Sequence, residues 1–212
     1  MSIAAPAEGP IVFVVDDDVS VRESLELIIA ASGWQPKVFT SAEEFLARAR
    51  QPVPSCLVLD VGLPALDGLE LQKRIVDRPD LPIIFITGHG DIPMTVQAMK
   101  AGAVEFLTKP LRTEALLSAI RGAIERSRAS LAQEADLKDL RDRYESVTTR
   151  ERQVMALVVR GQLNKQIAFE LGLTEITVKV HRGRVMRKME ATSLADLVNM
   201  AARLDSTAAT KR

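Results

Sequence analysis

The sequence has a single cysteine, Cys56, and no apolar stretch that approaches the roughly 18 to 20 residues of a membrane-spanning helix. One cysteine cannot form a disulfide within the chain, and this usage fits a reducing compartment. The opening MSIAAPAEGP lacks the basic and apolar regions of a secretory signal. We therefore expect a cytoplasmic protein with no membrane partner and a disordered tail over residues 1–9.

Length and composition indicate two folded domains. The 212 residues are 47% hydrophobic and 26% charged, and this composition excludes an intrinsically disordered chain. The net charge of zero is unevenly spread, because residues 1–126 hold 12 Lys and Arg against 17 Asp and Glu, whereas residues 127–212 hold 16 against 11. The basic second part suggests a polyanionic partner, although an uneven scatter of solvated charges is the alternative.

Five short apolar runs rich in β-branched residues mark the first part of the chain. They cover residues 11–15, 35–39, 56–59, 83–86 and 104–107, and stretches of helical period separate them. The runs lack polar alternation, as expected of parallel strands that are covered on both faces by helices. The pattern predicts an α/β domain with a five-stranded, doubly wound parallel sheet.

Polar residues stand directly after these runs, where ligands bind in such sheets. Asp16 and Asp17 follow the first run, Asp60 the third, Thr87 the fourth and Lys109 the fifth. Each has a simpler interpretation, because aspartates after strands also cap helices, as we expect of Asp18, and Lys109 before Pro110 could be a plain strand exit. Their shared edge nevertheless favours one site.

Clustered carboxylates at this edge would repel one another and need a cation. Oxygen ligands with room for water suit Mg²⁺, and a metal, a lysine and a hydroxyl around one carboxylate suit phosphoryl transfer. We predict that Asp60 accepts the phosphoryl group and that Lys109 and Thr87 contact its oxygens. The predicted metal ligands are Asp16, Asp17, Asp60 and a backbone carbonyl near Gly62.

Beyond residue 147 the sequence has helical period throughout. Helices are predicted over residues 150–159, 165–171, 175–189 and 194–203, and Gly172 lies in the turn of a helix-turn-helix. On the third of these helices Val178, His181, Val185 and Met189 form an inward stripe, on which His181 is expected to be packed and hydrogen-bonded. The residues that fall off the stripe are Lys179, Val180, Arg182, Gly183, Arg184 and Arg187. This basic face suits the major groove, although a solvated helix surface is the alternative.

A helical linker is predicted between the two parts, over residues 126–146. Two apolar stripes, one from Ile120 to Leu131 and one from Leu137 to Val147, are separated by a phase break. They could support a short helical pairing with a second copy, or they could be satellite contacts on a solvated connector. The sequence leaves both interpretations open.

Four motifs of the first part, in this order, resemble the receiver domain of two-component response regulators. They are VVDDD at 14–18, LVLDVGLPALDG at 57–68, ITGHGD at 86–91 and FLTKP at 106–110. The resemblance covers residues 10–125 and implies a flavodoxin-like fold, a sensor histidine kinase as partner and a cis bond before Pro110. It carries phosphorylation onto Asp60, metal binding onto Asp16, Asp17 and Asp60, and switching onto Thr87, Lys109 and Phe106.

The run TTRERQVMALVVRGQLNKQIAFELGLTEITVKVHRGRVMRKM is similar to the LuxR-type DNA-binding domain of NarL/FixJ-type regulators. This resemblance spans about residues 145–205, and we predict the domain itself over residues 147–205 with a tail at 206–212. It implies a four-helix module that binds double-stranded promoter DNA as a dimer. It carries base contact onto Lys179 and Val180, whereas relatives often use a side chain where this chain has Gly183. Charge and helical phase suggest phosphate contacts from Arg182, Arg184, Arg187 and Lys188.

The expected function is therefore phosphorylation-dependent transcription regulation, with homodimers forming through the fourth helix, fifth strand and fifth helix. The only catalysis expected is of the domain's own phosphorylation and dephosphorylation. One alternative is a Mg²⁺-dependent phosphatase that acts through an aspartyl phosphate. Such an enzyme needs a second catalytic acid two residues after the first, but this chain has Gly62 at that position after Asp60. Another is a phosphate-independent transcription factor that keeps the first domain as a dimer scaffold.

Overall fold

The computed structural model describes residues 9–88 and 92–209, and contains one five-stranded parallel sheet. The strands are β1 (Ile11–Val15), β2 (Gln35–Phe39), β3 (Ser55–Asp60), β4 (Ile83–Thr87) and β5 (Glu105–Thr108). Their order is β2-β1-β3-β4-β5, so the chain changes direction of winding between β1 and β3. The predicted fold class is confirmed, and each strand lies within two residues of its predicted bounds.

Helices cover both faces of this sheet. They are α1 (Val19–Ala31), α2 (Ala42–Ala47), α3 (Gly68–Arg74), α4 (Ile92–Lys100) and α5 (Thr113–Glu145). Alternate strand residues feed two cores, one around Phe13, Leu57 and Phe85 and the other around Val12 and Val58. Two buried faces explain why the strands lack polar alternation.

Local sequence explains how two of these helices are bounded. The Asp18 carboxylate accepts the N–H groups of Ser20 and Val21 and caps α1, as predicted. Ser41 caps α2 by accepting the N–H of Glu44, and the helix ends at Ala47. His89, within the motif ITGHGD, lies outside the described residues, as do most of the predicted tails.

The second part is all-helical, with α6 (Thr149–Val159), α7 (Asn164–Leu171), α8 (Glu175–Met189) and α9 (Leu194–Ala209). Thr148 and Glu151 form a capping box at the start of α6, and Gly172 ends α7 with a left-handed φ of 63°. Helix α9 runs six residues past its predicted end, because neither glycine nor proline interrupts residues 204–209. Within the described ranges, no helix combines the length and apolarity needed to cross a membrane.

Helix α5 contributes to both compact units of the chain, Met1–Ala132 and Gln133–Arg212. In the first unit Ser127 is fully buried, where its hydroxyl accepts the N–H of Ser55 and donates to the carbonyl of Asp80. In the second, Leu140 is buried in the core of α6 to α9. Both apolar stripes of the predicted linker thus pack on the chain's own cores, which disfavours their pairing with a second copy.

Candidate functional site

Asp16 and Asp60 lie side by side at the carboxyl edge of the sheet. Strands β1 and β3 pair in parallel with Val15 opposite Leu59, so Asp16 and Asp60, which follow these two residues, stand at the same level of the sheet edge. The Nζ atom of Lys109, which follows β5, is 2.8 Å from Asp16 Oδ2 and 2.8 Å from Asp60 Oδ1. One ammonium group therefore bridges two carboxylates that are distant in sequence.

Burial controls the charges in this cluster. Burial raises the pKa of Asp16, although hydrogen bonds from Lys109 and from the N–H of Asp18 favour its charged form. Burial would lower the pKa of Lys109, but hydrogen bonds to Asp16 and Asp60 outweigh this effect and raise it. Lys109 consequently remains an ammonium group at neutral pH and is the fixed positive charge of the site.

The Asp60 carboxylate is held at both oxygens. Its Oδ1 meets Lys109, and its Oδ2 accepts the N–H of Gly62 at 2.7 Å. A Cβ at Gly62 would lie 3.3 Å from Oδ2, so glycine keeps the space beside this oxygen open. Asp60 is thus fixed in position at the carboxyl edge of the sheet.

Gly68 is a residue that sequence reasoning missed. Its N–H donates to the carbonyl of Val61, and a Cβ there would lie only 2.5 Å from the backbone oxygen of Asp60. The signal was present in the motif LVLDVGLPALDG, where a glycine follows the turn at the start of α3. Gly68 therefore permits the close approach of α3 to the end of β3.

The two predicted switch residues stand on neighbouring strands. Thr87 is buried at the end of β4, and its carbonyl accepts the N–H of Lys109 at 2.7 Å. Phe106 is half-buried on β5, with its ring centroid 6.2 Å from that of Phe85. The Lys109–Pro110 bond is cis, as the resemblance implied. A hydroxyl, an ammonium group and an aromatic ring therefore flank the sheet edge that carries Asp60.

The donor chemistry of this edge fits Mg²⁺. In residues 9–88 and 92–209, no three His, Cys, Asp or Glu side chains are arranged to hold a metal as they stand, since Lys109 bridges Asp16 and Asp60 and Asp17 is exposed. Two buried carboxylates that share one ammonium still leave excess negative charge. Only oxygen donors are present, and these are the ligands that Mg²⁺ prefers.

Helix α8 presents a second candidate surface. Val178, Val185 and Met189 are buried on one side, whereas Lys179 and Val180 are exposed on the other. Gly183, Arg184 and Arg187 are exposed as well, and a Cβ at Gly183 would meet open space. The predicted separation of a buried stripe and an outward basic face is thus present.

Two predicted details of α8, the roles of Lys188 and His181, need correction. Lys188 donates to Glu151 Oε2 at 2.7 Å and to the carbonyl of Ser146 at 2.9 Å, so its ammonium is engaged within the domain and we withdraw it as a phosphate contact. Arg182 is half-buried and donates to Asn164 Oδ1 at 3.2 Å, and its phosphate contact stays a prediction. His181 is half-buried with an Nδ1 atom that has no hydrogen-bond partner, contrary to the predicted hydrogen bond.

Comparison with known families covers both parts of the chain. The family of response regulator receiver domains matches residues 12–121, and the luxR family of bacterial regulatory proteins matches residues 145–201. Nodulation protein W of Bradyrhizobium diazoefficiens is 52% identical over 191 residues, covering 90% of this chain and 84% of its own. The transcriptional regulatory protein FixJ of Rhizobium meliloti is 44% identical over 191 residues, covering 90% and 94%.

Two solved structures match nearly the whole chain. The response regulator StyR is 46% identical and matches with a TM-score of 0.81, covering 92% of this chain and 99% of its own. Full-length FixJ from B. japonicum is 39% identical with a TM-score of 0.53, covering 93% and 98%. The chain belongs to the family of two-component response regulators that join a receiver domain to a LuxR-type helix-turn-helix domain.

Proposed function

We propose that a sensor histidine kinase phosphorylates Asp60 and that this modification promotes dimerisation and promoter binding by this response regulator in the cytoplasm. The observation that carries the proposal is the Lys109 ammonium, which lies 2.8 Å from both Asp16 and Asp60. A fixed cation beside a carboxylate at the carboxyl edge of the sheet can neutralise the oxygens of an incoming phosphoryl group.

In the proposed transfer, an oxygen of Asp60 attacks the phosphorus of a phosphohistidine, a P–O bond forms, the P–N bond breaks and the imidazole leaves. The ammonium of Lys109 contacts a phosphoryl oxygen, and the N–H of Gly62 holds the second carboxylate oxygen of Asp60. Mg²⁺, bound by Asp16, Asp17, Asp60 and the Gly62 carbonyl, would supply further neutralisation of oxygen charge. The domain would catalyse only its own phosphorylation and dephosphorylation.

A phosphoryl group on Asp60 would change the surface of the domain through Thr87 and Phe106. A phosphoryl group on Asp60 offers charge-assisted hydrogen bonds to Lys109 and to the Thr87 hydroxyl, and a shift of Thr87 frees space that Phe106 can fill. Moving a two-state switch from 1:99 to 99:1 requires about 5.5 kcal/mol of differential stabilisation, which several such bonds can supply together. The repacked region is β5 and the adjoining faces of α4 and α5.

Wild-type chain incubated with acetyl phosphate tests the proposal directly. We expect a mass increase of one phosphoryl group that requires Mg²⁺, a shift from monomer to dimer, and tighter binding to promoter DNA. Continuous hydrolysis of phosphoesters, with no stable modified form, would instead favour a phosphatase. Equal DNA affinity with and without acetyl phosphate would favour a phosphate-independent transcription factor.

An apolar stripe on α4 supports the proposed dimer surface. Ile92, Val96 and Met99 recur at helical spacing and are exposed. We expect Val96→Asp to raise the dissociation constant of the phosphorylated dimer at least tenfold, because the dimer would bury an unpaired charge. Sedimentation measures this constant. Val76→Asp, which changes an exposed valine outside α4, should leave the constant unchanged.

The helix-turn-helix predicts a salt signature. Each arginine that contacts a DNA phosphate adds about 0.9 to the slope of log affinity against log salt. Arg187→Ala should therefore lower that slope by roughly two in a dimer, measured by fluorescence anisotropy between low and moderate salt. An unchanged slope would exclude Arg187 as a phosphate contact.

Lys188→Met is the contrasting variant. It should leave the salt slope unchanged and destabilise the domain by about 1–3 kcal/mol, because the buried carboxylate of Glu151 loses its partner. In the wild type the hydrogen bond from Lys188 lowers the pKa of Glu151 to about 2. Thermal unfolding at neutral pH measures the stability difference between the two proteins.

A further inference from the structure

The outermost line of α8 has no hydrogen-bonding side chain along its first two turns. At about 100° per residue, Ile176, Val180 and Gly183 fall on one line that continues to Arg187. This line, which we call the outer line, lies opposite the buried stripe of Val178, Val185 and Met189. Ile176 is 78% exposed and Val180 is 47% exposed.

Nothing within the described domain explains why Ile176 is an exposed branched hydrophobe. It stands one residue after the start of α8, where Thr174 caps the helix through the N–H of Thr177, and the hydroxyl of Thr177 is engaged by Thr174. The flanks of the outer line are cationic, with Lys179 on one side and Arg184 on the other, both exposed. In the DNA major groove, such a helix would direct its apolar line at the base edges and its two cationic flanks at the phosphates on either side.

The chemistry of the major groove limits what such a line can recognise. Base pairs present hydrogen-bond donors and acceptors there, together with one apolar feature, the C5-methyl group of thymine. Aliphatic side chains cannot hydrogen-bond, so the favourable base contact open to Ile176 and Val180 is apolar contact with that methyl group. Gly183 adds no competing polar contact, and open space surrounds the position of its missing Cβ.

We infer that Ile176, together with Val180, makes this regulator select thymine through its methyl group within each half-site. The inference rests on the proposed function, because it requires α8 to enter the major groove. Ile176 becomes a specificity-determining residue, and the cations Lys179 and Arg184 hold the helix at the depth at which the aliphatic side chains reach the methyl.

The test begins with a duplex selected from a randomised DNA pool by the full-length chain treated with acetyl phosphate. Each thymine of that duplex is then replaced singly by deoxyuridine, which lacks only the methyl group. We expect at least one position per half-site at which affinity falls roughly fourfold, the factor that corresponds to about 0.8 kcal/mol for one buried methylene-sized group.

Ile176→Ser links the effect to the side chain. It should bind the thymine and deoxyuridine duplexes with equal affinity at one of these positions, while its circular dichroism remains that of the wild type. Phe169→Ser is the matched control, because Phe169 is 92% exposed but lies on α7, and it should keep the full methyl dependence. If the wild type binds both duplexes equally, the inference is wrong although DNA binding stands. If no duplex is selected at all, the proposed function fails.

Discussion

Asp60→Asn is expected to abolish phosphorylation of the chain by acetyl phosphate and by a cognate kinase. The amide lacks the anionic oxygen that has to attack phosphorus, and Asp16, the other carboxylate that Lys109 contacts, is fully buried. Intact-protein mass spectrometry should show one phosphoryl group on the wild type and none on the variant. The dimer shift and the gain in DNA affinity should disappear together with the modification.

Asp77→Asn is the matched control, because it neutralises an exposed aspartate of the same domain. It should be phosphorylated as fully as the wild type. Phosphate on Asp60→Asn, mapped to another aspartate, would show that the acceptor has been misassigned. Removal of Mg²⁺ by a chelator should mimic the loss in the wild type, and its return should restore modification.

Gly68→Ala is expected to destabilise the receiver domain. The added Cβ would lie 2.5 Å from the backbone oxygen of Asp60 and 3.1 Å from the Cα atom of Val61, so backbone has to move. Overpacking of this kind costs about 1–3 kcal/mol. Because the displaced atoms belong to Asp60, we also expect slower phosphorylation at temperatures where the variant remains folded.

Gly122→Ala is the contrasting variant, since a Cβ there meets nothing within 4 Å and the residue lies inside α5. It should stabilise the domain by roughly 0.5–1 kcal/mol, because alanine has the higher helix propensity. Chemical denaturation of both proteins measures the difference. A Gly68→Ala protein as stable as the wild type would show that α3 can move away from β3 without cost.

Much of the fold could be predicted because its signals are local. Buried parallel strands appear as unbroken apolar runs, and the Asp18 cap and the Gly172 turn each depend on one residue in one conformation. The extent of α9 could not be predicted in this way. Its last residues carry no stop signal, so the end of that helix has no marker in the sequence.

The candidate site also contains residues with a local sequence signal and residues whose roles depend on tertiary contacts. Residues at strand ends could be predicted to share one edge, because the topology of a parallel sheet brings them there. The tasks of Lys188 and Gly68 depend on tertiary neighbours, Glu151 for the first and the Asp60 carbonyl for the second. Charge and helical phase alone placed Lys188 among the phosphate contacts, and no periodicity could reveal its buried acidic partner.

Because α5 contributes buried residues to both units, the place at which the chain is cut decides whether either half folds alone. A receiver fragment that stops before Ser127 loses the hydroxyl that satisfies the backbone of Ser55 and Asp80. A DNA-binding fragment that starts after Leu140 loses a side chain from its own core. A boundary placed within residues 132–136, where every residue of the helix is exposed, would keep Ser127 in the receiver fragment and Leu140 in the DNA-binding fragment.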